Sequence, residues 1–167
     1  MAWRRDEGAL TRWLGFSSES LSKIEDIELA TLKIHLVLED ASKSLLAARL
    51  AVKEDAFFDL RIDFSTLVDV ALEGAGNSHL VGALRALNTA RNYVSHHVES
   101  SQFMDKLALF VRESAAGAAP KSGPVSMPAG HWPNHPKEQF TALKEAFDEA
   151  AFAIFDLAIN GIPKAQA

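Results

Sequence analysis

The 167 residues contain no cysteine, which excludes a disulfide framework, a thiolate nucleophile and any zinc site that uses sulfur. That absence suits a reducing, cytoplasmic setting. No apolar run approaches the roughly 18 residues of a membrane span. The charged opening Met1-Ala2-Trp3-Arg4-Arg5-Asp6-Glu7 has no long apolar core behind it, which argues against a secretory signal. Positive charge is also short: the net charge is −5, so no global field attracts nucleic acid, and any RNA contact must be local. No helix-turn-helix with basic recognition residues is present, which argues against direct DNA binding. Strand alternation, a glycine-rich phosphate loop, a serine elbow, clustered carboxylates and the Glu-x-x-His repeats of helical metal enzymes are all missing. No cofactor is implied.

What remains is helical periodicity. Hydrophobic residues at 48% and charged residues at 23% are ordinary for a globular chain, and the length suits one helical domain over residues 1–167. The pattern predicts an all-α bundle with two long helices, about 21–52 and 137–160. The first carries Ile27, Ile34, Leu38, Ala41, Leu45, Ala48 and Val52 at threes and fours. The last carries Phe140, Leu143, Phe147, Ala150, Ala151, Ile154, Leu157 and Ala158, and Gly161 and Pro163 end it. Phe152, Phe155 and Ile159 widen its apolar arc, which suggests a second contact. Leu10, Trp13 and Leu14 suggest a short helix that packs onto the body, and Ser17 to Ser22 offer caps. Phe57 to Phe64 suits a buried connection, with Ser65 capping a helix over about 66–73. Another helix is expected over about 102–115.

Five of the six prolines fall in residues 116–136, with Gly117, Gly123 and Gly130. Such a stretch reads as a flexible insert. Within it, His131-Trp132-Pro133-Asn134-His135 offers two histidines but no third ligand, a poor metal site; Trp132 pinning the insert to the body is the better reading.

The centre of the sequence is a motif helix over about 78–99, capped by Asn77 or Ser78, with His79 a structural residue near its start. At about 100° per residue, Leu80, Ala83, Leu84, Leu87, Ala90, Val94 and Val98 form one stripe. Arg91 lies at its edge, and Asn88, Ser95, Asn92, Glu99 and His96 occupy a polar flank. An arginine, two amides, a hydroxyl and an imidazole on one flank exceed what solvation needs. The plainer reading, polar residues at a frayed helix end with Arg91 tied to an interior carboxylate, also fits. In the first helix, His35 and Glu39 stand one turn apart. Either one of them leans over the Arg91 helix and orients a site there, or they form an ordinary helix-surface pair worth about 0.2–0.5 kcal/mol if charged. Glu39 is the candidate partner of Arg91.

The run Arg91-Asn92-Tyr93-Val94-Ser95-His96 resembles the Arg-polar-x-x-x-His signature of the HEPN superfamily, small helical domains that include RNA-cleaving toxins. Leu87-Asn88 before it and His97-Val98-Glu99 after it, with His35-Leu36-Val37-Leu38-Glu39, are similar to bacterial HEPN-like proteins of the mannitol operon repressor kind. The resemblance spans about Ile24 to Asn160 apart from the insert, and it implies two functions. One is a metal-independent endoribonuclease in which Arg91 and His96 are catalytic and Asn92, Ser95, Asn88 and Glu39 support them. RNA supplies its own 2′-hydroxyl nucleophile, an arginine fork can hold the phosphate, and a histidine can relay the proton. Arg91 and His96 differ by about 140° around the helix with a rise of roughly 7.5 Å. The resemblance therefore implies a homodimer with a composite cleft. The other is a non-catalytic regulatory module, acting through a protein partner such as an antitoxin or a regulator.

Overall fold

The computed structural model describes residue 13 and residues 15–53, 61–96, 100–117 and 132–161. These form an all-α bundle: α1 (Ile27–Leu50), α2 (Phe64–Ala71), α3 (Ser78–Ser95), α4 (Ser100–Gly117) and α5 (Pro136–Asn160), with no strand among the described residues. The expected all-α architecture, its two long helices and its central motif helix are all present.

Several helix ends differ from the periodicity. The first long helix starts at Ile27, not near Leu21, because Asp26 turns the chain there: its backbone is extended and its carboxylate accepts from the Leu29 N–H at 2.8 Å. Ahead of it lie a π-helical turn, Phe16–Ser20, and a 3₁₀ turn, Leu21–Lys23. In α2, Asp63 takes the capping role expected of Ser65, accepting from the Thr66 N–H at 3.0 Å. A carboxylate is a strong cap and also complements the positive end of the helix. The motif helix stops at Ser95, earlier than its apolar pattern suggests. The Ser95 hydroxyl donates to the Arg91 carbonyl at 3.1 Å, and the His96 N–H is shared by the Asn92 and Tyr93 carbonyls. Side-chain bonding to the i−4 carbonyl competes with helix propagation, and a tightened last turn is a common way to end one.

At the other end of α3, Asn77 accepts from the Leu80 N–H at 3.0 Å. Asn77→Ala should cost about 1 kcal/mol, read as a lowered urea midpoint with an unchanged slope; no loss would show that this cap contributes nothing.

The core follows from one apolar face per helix. Ile34, Leu38 and Leu45 of α1, Leu80, Leu84 and Leu87 of α3, Leu107 and Phe110 of α4, and Leu143, Phe147 and Ile154 of α5 are all fully or almost fully buried. α3 and α4 run antiparallel: a Cβ on Gly117, at the end of α4, would lie 3.1 Å from Asn77 Oδ1 and 3.3 Å from His79 Cβ, at the start of α3. Only glycine permits that approach without a shift.

The widened arc of α5 is partly covered by its own chain. Phe155 is buried and stacks on Trp13 with centroids 5.1 Å apart, while Phe16 meets Phe147 edge-on at 5.4 Å. Phe152 and Ile159 stay exposed. Trp13 thus packs on the body, as expected of it; its companions Leu10 and Leu14 lie outside the described residues. So do 118–131, most of the proline-rich insert, together with His97, Val98 and Glu99. At the insert's far end Trp132 packs against the core and Pro133 is buried, with the Pro133 carbonyl accepting from Gln139 Nε2 at 2.9 Å. His135 caps α5, its Nδ1 accepting from the Lys137 N–H at 3.3 Å.

Candidate functional site

The polar flank of α3 faces outward. Leu80, Ala83, Leu84, Leu87 and Ala90 are buried and Val94 is half-buried against the core, which fixes the rotation of the helix. The opposite flank then has to carry Arg91, Asn92, Ser95 and His96 into solvent, and all four are exposed. Tyr93 is half-buried and packs on the core. His96 is the C-terminal cap residue (φ −111°, ψ 9°) and stands one position beyond the last helical residue. Among the described residues, Arg91 pairs with no carboxylate; its guanidinium donates to Asn92 Oδ1 at 3.1 Å. It is an exposed cation at the edge of a core stripe, steadied by an adjacent amide.

Glu39 is close by but engaged elsewhere. Its carboxylate binds Lys43 Nζ at 2.8 Å and lies 3.9 Å from His35 Nδ1, and no ion pair with Arg91 is formed. With a quarter of its side chain exposed, it is a rim carboxylate and not an interior one.

Asn88, one turn before Arg91, points at α1. Its Oδ1 lies 3.2 Å from Nε2 of His35, and the His35 ring tilts against Phe64 of α2 with centroids 4.4 Å apart. His35 is 4% exposed, so it is neither a helix-surface pair nor a site residue in reach of solvent. It joins three helices beneath the flank. In the sequence, the signal for this is the row Thr31, His35 and Ser42 along the edge of the α1 stripe. All three are buried, and Thr31 and Ser42 return their hydroxyls to the α1 carbonyls of Ile27 and Leu38.

Burial holds the His35 pKa below its ordinary 6.5; the Arg91 charge adds to this, while the bond to Asn88 and the Glu39 carboxylate oppose it. The unfolded chain therefore binds this proton at higher pH than the folded one. Stability from His35 is complete above about pH 6.5 and is lost as pH falls through the depressed folded value. Melting at about pH 7.5 and about pH 5.5 should show a lower midpoint in the acid sample, and His35→Gln should shrink the difference. An equal drop in the variant would assign the acid sensitivity to other groups.

A second histidine, His79, lies at the far end of α3. Its Nδ1 is 2.8 Å from Glu113 of α4, and this contact, first of all, lowers the Glu113 pKa. That pair ties the two helices together, in line with a structural role. Among the described residues no group of three or more His, Asp or Glu side chains is gathered as for a metal ion, and no helix is long and apolar enough to cross a membrane.

Comparison with protein-family models, curated proteins and solved structures returns no match.

Proposed function

We propose that the protein is a HEPN-like, metal-independent endoribonuclease that works as a homodimer, with Arg91 and His96 as its catalytic pair. The observation that supports this most directly is the outward flank of α3, where an arginine free of any described carboxylate shares one exposed surface with His96, Asn92 and Ser95. A guanidinium in that state can grip a phosphate in a fork. The chemistry needs little else. The 2′-oxygen attacks the adjacent phosphorus and the 5′-oxygen leaves. Histidine takes the 2′-proton and returns one to the departing oxygen, while arginine offsets charge on the phosphoryl oxygens. Asn92 and Ser95 supply hydrogen bonds at the rim, and Glu39 with Lys43 borders the site from α1.

Arg91 and His96 stand five residues apart at one helix end, about 140° around an ideal helix, so a second copy would bring an arginine and a histidine to the same phosphate. The exposed Phe152 and Ile159, seven residues apart and so on one side of α5, give such a dimer an apolar contact. Light scattering at micromolar concentration should report a dimer; a monomer at all concentrations would remove the composite site. The second reading, a non-catalytic module that works through a protein partner, uses the same flank as a polar seam. It is favoured if the dimer forms with Arg91 and His96 covered and labelled RNA stays intact.

A further inference from the structure

We propose that His35 is a positioning residue for this site: its Nε2–H, donating to Asn88 Oδ1 across the α1–α3 contact, holds the C-terminal half of α3 in the setting that presents Arg91. The inference rests on the reading of the α3 flank given above for its catalytic consequence, but not for its structural one.

The fully buried positions of α3 end at Ala90. Beyond it Arg91, Asn92, Ser95 and His96 are exposed and Tyr93 and Val94 are half-buried, so apolar contact weakens just where the candidate site begins. Asn88 is the polar residue of that flank nearest the anchored part, and it is the one turned inward, with its oxygen 3.2 Å from His35 Nε2. Acceptance by Oδ1 requires the proton on Nε2. The ring is held on its other side by Phe64 of α2, at 4.4 Å between centroids. A side chain wedged between two helices and donating to a third fixes both the depth and the rotation of α3 there. A part-buried polar bond of this kind also resists slippage, because breaking it leaves the buried His35 nitrogen unsatisfied.

The charges around the ring fit this role. Glu39 from its own helix, 3.9 Å from Nδ1, and Arg91 from α3 are the charged groups acting on it, while α2 meets it with the Phe64 ring. Burial and the Arg91 charge lower the ring's pKa, and Lys43 holds the Glu39 carboxylate at 2.8 Å. Glu39 forms no ion pair with Arg91. The arrangement keeps the arginine open to an anion.

Two variants separate the bond from the packing. Gln at 35 can place an amide N–H close to where Nε2 lies and cannot titrate; Leu fills space and donates nothing. In the full-length protein, the Arg91 Nε–H signal in ¹⁵N NMR, assigned by its loss in Arg91→Lys, reads the setting of the guanidinium. Cleavage of labelled RNA reads kcat and KM. His35→Leu should shift or broaden the Arg91 signal and lower kcat by on the order of 10- to 100-fold, the scale of a catalytic group displaced from a distance. His35→Gln should keep both close to wild type. Asn88→Ala removes the acceptor and leaves the ring in place; it should reproduce the His35→Leu result and stands in for it if that variant does not fold. An unchanged Arg91 signal in His35→Leu, or in Asn88→Ala, overturns the proposal. So does a folded His35→Gln that loses the signal as fully as Leu, since packing of the ring would then be the cause. If wild type cleaves no RNA, the ribonuclease reading falls, and the Arg91 signal alone still decides whether His35 positions it.

Discussion

Arg91→Ala and His96→Ala should each abolish RNA cleavage while leaving the melting curve in place. Loss of a positioned acid–base group costs about 10²–10⁴ in rate, and loss of a charge-stabilising donor about 10²–10³. If both act on one phosphate the double variant should be little worse than either single one, because groups that act as a unit are not additive. The stability half of the expectation follows from the structure. His96 is exposed at the helix cap, so removing its ring opens no cavity in the core. Arg91 is exposed too, and Glu39 is paired with Lys43 at 2.8 Å, so trimming the guanidinium strands no buried carboxylate. Changes of that kind stay within about ±0.5 kcal/mol. Arg91→Lys keeps the charge but loses the planar fork, and should fold normally with most activity gone. Parallel melting and cleavage assays check all of these. A lowered melting point in Arg91→Ala with no cleavage by wild type would assign Arg91 a structural role instead.

The largest effect on stability is expected at Phe147. Its side chain is fully buried on α5 and meets the Phe16 ring edge-on. Phe147→Ala removes a whole ring from a site where α5 packs against the body and should cost about 3–5 kcal/mol. For a chain of this size that corresponds to a melting point lower by roughly 6–20 °C. Phe152→Ala, five residues on along the same helix, is the control. Phe152 is 63% exposed, and its loss should leave the monomer's stability within about ±0.5 kcal/mol. Equal losses at the two positions would mean that the buried face of α5 has been misplaced.

The helices were legible in the sequence because each buries one face, and a period of 3.6 survives in the order of residues. Phe103, Leu107, Phe110 and Val111 of α4, and the Leu80–Ala90 stripe of α3, are buried as their spacing implies. Helix ends were less legible. Asp26 and Asp63 compete for caps with nearby serines, and sequence order does not say which side chain reaches the free N–H groups. The exposed flank of α3 was legible by the same periodicity that places its buried face. The fate of Glu39 was not. Charge alone offers it Lys43 and Arg91, and the structure pairs it with Lys43, one turn on along α1, at 2.8 Å. The His35–Asn88 bond joins residues far apart in sequence, and no local pattern announces such a pair. The second contact expected of α5 proved to be partly internal, supplied by Trp13.

Whether the α3 flank does chemistry separates the nuclease from the regulatory module. The most direct measurement is incubation of the purified protein with an end-labelled RNA, with and without EDTA, beside the same sequence made as DNA. The expected result is cleavage of the RNA alone, unaffected by EDTA, to fragments ending in a 2′,3′-cyclic phosphate and beginning with a 5′-hydroxyl. These are the products when the 2′-oxygen attacks and the 5′-oxygen leaves. Cleavage of the DNA, dependence on a divalent ion, or RNA left whole by a protein that melts cooperatively as a dimer would contradict it.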